Sequence, residues 1–348
     1  MQYDPTAHPH YSEVVATTEL TYSPDVLGDE YVAHTFELGP DPDGEPGGDV
    51  VATLVKHVPT STAGATDPHH AVLWVHGFSD YFFQTAVAEF FAERGYAFYA
   101  LDLRKCGRSL REGQSAHYAT DFTVYDEELD LAVAAIEQEH PGLGVVVAAH
   151  STGGLITPLW LDRRRKAGRT GPVVGLVLDS PWFDLQGSAM LRELATPVVK
   201  LIGKAVGTRP VPVEAVGVYG QTIHSSAHGE FDFDPRIKPI EGFPVRFGWL
   251  RAVRVAHSLL HRGLDVGVPS LVLRSTKSFA PKEWSEEAGR ADVVLDTRQI
   301  AKWAGALGGR LTVIPVENAK HDVFLSEKDA RETAYAELAG WLAREIEA

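Results

Sequence analysis

The residues best suited to chemistry in this chain stand at the ends of short apolar runs. In Val145-Val146-Val147-Ala148-Ala149-His150-Ser151-Thr152-Gly153-Gly154 an apolar run ends in a serine, then small residues, then a helical pattern. A serine at such a strand-to-helix corner presents its hydroxyl as a nucleophile, and the positive end of the helix supports negative charge that develops beside it. A second run, ending Trp74-Val75-His76-Gly77-Phe78-Ser79, supplies a turn whose backbone N–H groups could face an oxyanion. A serine also needs a base, and the chain has 15 histidines. Cys106 is the single cysteine, with no paired base beside it, and reads as a bystander thiol. One cysteine forms no internal disulfide and meets none of the zinc-site spacings.

Together these motifs resemble the α/β-hydrolase superfamily, and within it the monoacylglycerol lipase, lysophospholipase and serine aminopeptidase group. The resemblance runs from Ala71 to the C-terminus. It implies that Ser151 is the nucleophile on its elbow, with Ala149 standing at the first glycine position of G-x-S-x-G. It implies that the amides of Phe78 and Thr152 form the oxyanion hole, with His76, Gly77, His150 and Gly153 supporting loop and elbow. His321 follows the last strand and precedes the final helix, where the family places its base. No carboxylate follows Leu271-Val272-Leu273-Arg274 directly. The acid is therefore expected to be delayed by an insertion, and Asp292 in Arg290-Ala291-Asp292-Val293-Val294-Leu295-Asp296 aligns with it. Asp296 then becomes the N-cap of the next helix, and Glu283, Glu286 and Glu287 are weaker rivals. The loop Asp102-Leu103-Arg104-Lys105-Cys106-Gly107-Arg108-Ser109 looks like a structural turn of the same superfamily.

Elements able to hold these residues follow from the pattern. Tyr31 to Leu38 and Val50 to Val58, joined by a Gly, Pro and Asp turn, read as an antiparallel hairpin. Short apolar runs then alternate with amphipathic stretches, which predicts βα units around a mostly parallel sheet with flanking helices. Strands are expected at 71–75, 96–101, 144–149, 173–178, 269–274 and 310–314, and helices at 85–94, 124–139, 152–165, 297–307 and 328–345. Pro181 to Asp265 breaks the rhythm and reads as an inserted cap. The expected division is thus a core over 1–180, a cap over 181–265 and the rest of the core over 266–348.

The implied reaction is hydrolysis of a carboxylic ester through an acyl-enzyme, with no metal or organic cofactor. Trp182, Phe183, Tyr219, Phe231, Phe233, Phe243, Phe247 and Trp249 in the cap suggest a small-molecule ester with an apolar acyl or aromatic group. An aminopeptidase of the same group would need carboxylates for a free amine, and Glu193, Glu214, Glu230 and Glu241 are available. A non-catalytic protein that kept the fold as a binding scaffold is the rival from another class. The formal net charge of −15, from 47 acidic against 32 basic residues, disfavours nucleic acid and anionic membranes. With no apolar run long enough to span a bilayer and no basic, apolar leader at the start, a cytoplasmic protein is expected.

Overall fold

A computed structural model of the chain describes residues 19–59, 67–186, 203, 206–212 and 217–348. At the N-terminal side β1 (Ser23–Asp25), β2 (Gly28–Pro40) and β3 (Asp49–His57) pair antiparallel, and β3 runs antiparallel to β5 (Tyr96–Asp102). The remaining strands are parallel: β4 (His70–Val75), β6 (Gly144–His150), β7 (Val173–Asp179), β8 (Ser270–Ser275) and β9 (Leu311–Val316). They form one sheet in the order β1-β2-β3-β5-β4-β6-β7-β8-β9. This is the mostly parallel α/β architecture with an antiparallel N-terminal edge that the sequence predicts.

The helices α1 (Thr85–Ala92), α2 (Tyr125–Glu139), α3 (Gly153–Lys166), α6 (Thr297–Trp303) and α7 (Lys328–Glu345) lie close to their expected positions. Alternate residues of each strand point to opposite faces, so the sheet divides the interior in two. Leu73, Val75, Val147 and Leu176 pack with Leu129 and Ile136 of α2 and Leu155 and Leu159 of α3. Val72, Trp74, Val146 and Val177 pack with Phe91 of α1 and Leu338 and Trp341 of α7. Strand β6 is apolar from Val145 to Ala149 because both its faces are covered there, as a central parallel strand requires.

Two features depart from expectation. Strand β1 was not foreseen, since it is three residues long, contains Pro24 and sits at the sheet edge, where a missing N–H costs no ladder bond. The inserted segment between β7 and β8 carries two helices among its described residues, α4 (Gly217–Ile223) and α5 (Phe247–Leu260). Helix α5 buries Trp249, Ala252, Val253, Ala256 and Leu260, a three-and-four spacing that seats one face on the core. Glu193, one of the carboxylates weighed for amine binding, lies outside the described residues, as does Glu214.

The turn after β5 is a buried electrostatic brace. The Asp102 carboxylate accepts from the amides of Phe82 (3.0 Å) and Arg108 (2.9 Å), and Arg104 donates through Nε to Glu128 of α2 at 2.9 Å. Both Arg104 and Glu128 are buried, so removing either would strand a charge in the core.

Candidate active site

Strand β6 delivers Ser151 onto a corner with φ of 52°, a left-handed conformation that a non-glycine residue holds only under constraint. The constraint is visible in the backbone. Ser151 N donates to Asp179 O at 2.9 Å, and Trp182 N donates to Ser151 O at 3.0 Å. Helix α3 starts two residues later, so its first amides surround the corner. The small residues are required by proximity. A Cβ on Gly153 would lie 2.6 Å from His76 O, one on Gly154 2.7 Å from Pro181 Cβ, and one on Gly77 2.9 Å from Ser151 Cβ. The loop after β4 and the elbow therefore touch through atoms that only glycine leaves free.

His321 stands in the loop between β9 and α7. Its Nε2 is 2.9 Å from Ser151 Oγ and its Nδ1 is 3.0 Å from Asp292 Oδ2. A carboxylate accepts only, so the Nδ1 proton is fixed toward Asp292 and the Nε2 lone pair faces the serine hydroxyl. The other Asp292 oxygen accepts from the amides of Val294 (2.8 Å) and Leu295 (2.7 Å). Asp292 reaches this point by a detour. After β8 the chain makes an excursion over 279–291 and returns to bridge Ser278 to Asp292, and Asp292 N donates to Lys277 O at 3.0 Å. Asp296 instead caps α6, accepting from Arg298 N, and Glu283, Glu286 and Glu287 are exposed. Ser151 is 7%, His321 2% and Asp292 0% exposed, so the three groups interact away from bulk water.

The loop beside the serine is set by His76. Leu103 N donates to His76 Nε2 at 3.1 Å, which leaves the ring proton on Nδ1, and Nδ1 donates to Gly77 O at 2.7 Å. In a trans peptide the carbonyl and amide point in opposite directions, so holding Gly77 O turns the Phe78 N–H away from His76. Among the described residues neither Phe78 N nor Thr152 N donates to a protein acceptor. Next to both amides a narrow cavity is lined by Leu103, Tyr125, Ile156 and Trp249. The Trp249 ring lies 4.1 Å from Phe78 at this cavity and 5.5 Å from Trp182, whereas Phe231 and Phe233 pack with Tyr81 and Phe83.

Sequence reasoning missed four polar residues close to the site, Asp80, Lys238, Asp179 and Asp322. Asp80 hydrogen-bonds His150 Nδ1 at 3.3 Å and receives Lys238 Nζ at 2.7 Å. Burial alone would raise the Asp80 carboxyl, but the Lys238 ammonium and the His150 hydrogen bond outweigh it and hold it well below the usual carboxylate range. Asp322, next to His321, pairs with Asp179 at the end of β7. Burial pushes Asp179 well above the ordinary range, and the neighbouring Asp322 carboxyl pushes it further. With His150 these carboxyls form a buried group whose ligand-type atoms lie within 4.8 Å of one another.

The comparisons with known proteins agree with this fold. The arrangement is that of the α/β-hydrolases, as the solved structures show. A monoglyceride lipase from Saccharomyces cerevisiae, solved with a substrate analogue, superimposes with a TM-score of 0.60 at 16% identity, covering 95% of this chain and 97% of that one. A thermostable carboxyl esterase from Bacillus coagulans superimposes with a TM-score of 0.59 at 15% identity, covering 90% and 99%. In sequence, residues 66–281 match the model of the family described as serine aminopeptidase, S33, and the chain belongs to that family. A monoacylglycerol lipase of Mycolicibacterium smegmatis is 29% identical over 216 residues, 61% of this chain and 71% of that protein. The family match contains Ser151 and the loop after β4 but stops short of Asp292 and His321. Among the described residues no helix is long and apolar enough to cross a membrane.

Proposed function

We propose that this protein hydrolyses carboxylic esters by acyl transfer through Ser151. The observation that carries the reading is the unbroken line from Asp292 through His321 to Ser151 Oγ, at 3.0 and 2.9 Å, ending on a serine held at positive φ. His321 takes the Ser151 proton as Oγ attacks the ester carbonyl. Asp292 stabilises the imidazolium, and the Phe78 and Thr152 amides receive the oxyanion. His321 then protonates the leaving alcohol, and water repeats the cycle to release the acid. The 181–265 insertion acts as a cap that covers the site.

Leu103, Ile156, Phe78, Trp182 and Trp249 around the donors support an apolar acyl or aromatic group as substrate. The lipase and esterase relatives point the same way. The family's name favours a second reading, removal of an N-terminal amino acid. Its amine would need converging carboxylates, yet Glu241 is exposed and Glu230 pairs with Arg331 at 2.7 Å on the surface. A panel of p-nitrophenyl esters of graded acyl length beside aminoacyl p-nitroanilides tests the choice. Turnover of the esters is expected, with little on the anilides. Faster turnover of the anilides would reverse the assignment, and turnover of neither would favour a binding scaffold.

A further inference from the structure

The oxyanion loop is gripped from the cap side as well as from the core. Lys238, in the inserted segment, donates through Nζ to Asp80 Oδ1 at 2.7 Å and to Ser79 O at 3.4 Å. Five residues on, Phe243 N donates to Ser79 Oγ at 2.8 Å, and Asp234 N donates to Tyr81 OH at 3.1 Å. Residues 79 to 81, directly after Phe78, are thus held at three points by one cap segment. Ser79 itself has φ of 54°, so the turn that aims the Phe78 amide is constrained on both sides. Core residue His76 fixes the Gly77 carbonyl, and cap residues fix Ser79 and Asp80.

Lys238 is an unusual group to bury for packing alone. It is 4% exposed and Asp80 2% exposed. Its ammonium also lies 5.5 Å from the Phe83 ring, 5.7 Å from Tyr219 and 5.6 Å from Phe233, an aromatic enclosure that replaces water around a cation. Tyr219 stands edge-on to His321 at 5.2 Å, and the other Asp80 oxygen holds His150, whose ring lies 4.8 Å from that of His321. A buried ion pair seldom adds net stability over apolar packing, and here the pair ties the cap segment to the loop that follows Phe78.

We infer that Lys238 is a positioning residue for the oxyanion hole, so that the Phe78 amide is aimed at the reacting carbonyl only when the cap segment is seated. The inference rests on the acyl-transfer reading above and deepens it, because it makes a cap residue set the rate of chemistry and not only the choice of substrate. A residue that merely tethers the cap would act on substrate binding. A residue that aims an oxyanion donor acts on the transition state.

The test uses the full chain as wild type, Lys238→Met, Lys238→Arg and the double variant Asp80→Asn/Lys238→Met. The readouts are kcat and KM on one p-nitrophenyl ester and the affinity for an alkyl trifluoromethyl ketone, whose adduct oxygen occupies the oxyanion site. In Lys238→Met kcat is expected to fall by about 10²-fold, the scale of one lost oxyanion donor, with KM changed by less than about threefold. Ketone affinity falls in the same proportion, and Lys238→Arg recovers most of both. Should Lys238→Met fail to fold, the double variant carries the test, since both buried groups are then neutral, and it is expected to fold while kcat stays low. A folded variant with raised KM and unchanged kcat would overturn the inference, as would wild-type kcat in the double variant. A wild type inactive on every ester would sink the acyl-transfer reading with it, whereas an active wild type and an unimpaired Lys238→Met would sink this inference alone.

Discussion

Ser151 is approached from two sides, and the two are held by different parts of the chain. On the base side, Asp292 and His321 are fixed by the core: the amides of Val294 and Leu295 orient the acid, and the acid orients the ring. Contacts from the inserted segment reach the flanks of that side: Tyr219 stands edge-on to His321, Lys320 donates through Nζ to Thr222 O at 2.5 Å, and Val218 packs with Val293, but among the described residues none hydrogen-bonds His321 or Asp292. On the oxyanion side, the Phe78 amide is aimed by His76 from the core and by residues 234–243 from the cap. The difference separates two functions that a single rigid site would merge. In the proposed mechanism, proton transfer runs through an acid and base oriented by hydrogen bonds within the core, while stabilisation of the tetrahedral oxygen depends also on how the cap sits.

Substitutions on the base side give the largest effects. Ser151→Ala and His321→Ala are each expected to lower kcat on a p-nitrophenyl ester by about 10⁴-fold or more, and Asp292→Asn by about 10³- to 10⁴-fold. All three variants should keep the wild-type circular dichroism spectrum. Because these residues act as one unit, the double variant Ser151→Ala/His321→Ala is expected to be no worse than either single one, which steady-state rates will show.

At the junction between the two sides the expected effect is steric. Gly77→Ala places a Cβ 2.9 Å from Ser151 Cβ, and Gly153→Ala places one 2.6 Å from His76 O. Each should cost about 1–3 kcal/mol in urea unfolding, the usual scale for overpacking a closed interior. Each should also lower kcat more than it raises KM, since the serine and the loop are forced apart. Wild-type rates in Gly77→Ala would mean that the loop and the elbow need not touch.

The smallest expected effect concerns the Asp179–Asp322 pair, which joins the end of β7 to the His321 loop through Asp179 and the Val323 amide. Asp179 has a raised pKa in the folded protein, so the native state holds a proton that the unfolded chain releases above about pH 4. Stability from this group is fully present below that point and declines as pH rises toward the folded pKa. Asp179→Asn keeps an acceptor for Val323 N and removes the proton. Its melting temperature between pH 4 and 8 should therefore fall less steeply than that of the wild type. An unchanged slope would show that Asp179 holds no extra proton in the folded protein.

Much of this arrangement was legible because it is local. The strand that ends at Ser151 is marked by its unbroken valine and alanine run, and the glycines that follow mark close approach. Asp292 could be proposed although an excursion separates it from β8, because the resemblance aligns Arg290-Ala291-Asp292-Val293-Val294-Leu295-Asp296 with the acid of the family. The cap was less legible. The spacing of Trp249, Ala252, Val253, Ala256 and Leu260 was present in the sequence, yet the aromatic content of the segment drew attention to substrate contacts and not to a helix. Asp80 and Lys238 could not be paired from sequence, since 158 residues separate them and nothing local distinguishes either from a surface charge. The acidic loop residues Asp41 and Glu45 are a similar case, because their partner Lys105 lies some sixty residues away and is fully buried.

The central claim is that Ser151 is activated by His321. It is tested most directly by reacting the wild type, Ser151→Ala and His321→Ala with a fluorophosphonate probe and mapping the adduct by peptide mass. Covalent label on Ser151 in the wild type, none in Ser151→Ala and a rate lowered by orders of magnitude in His321→Ala is the expected result. Label on another residue, or equal labelling in His321→Ala, would contradict it.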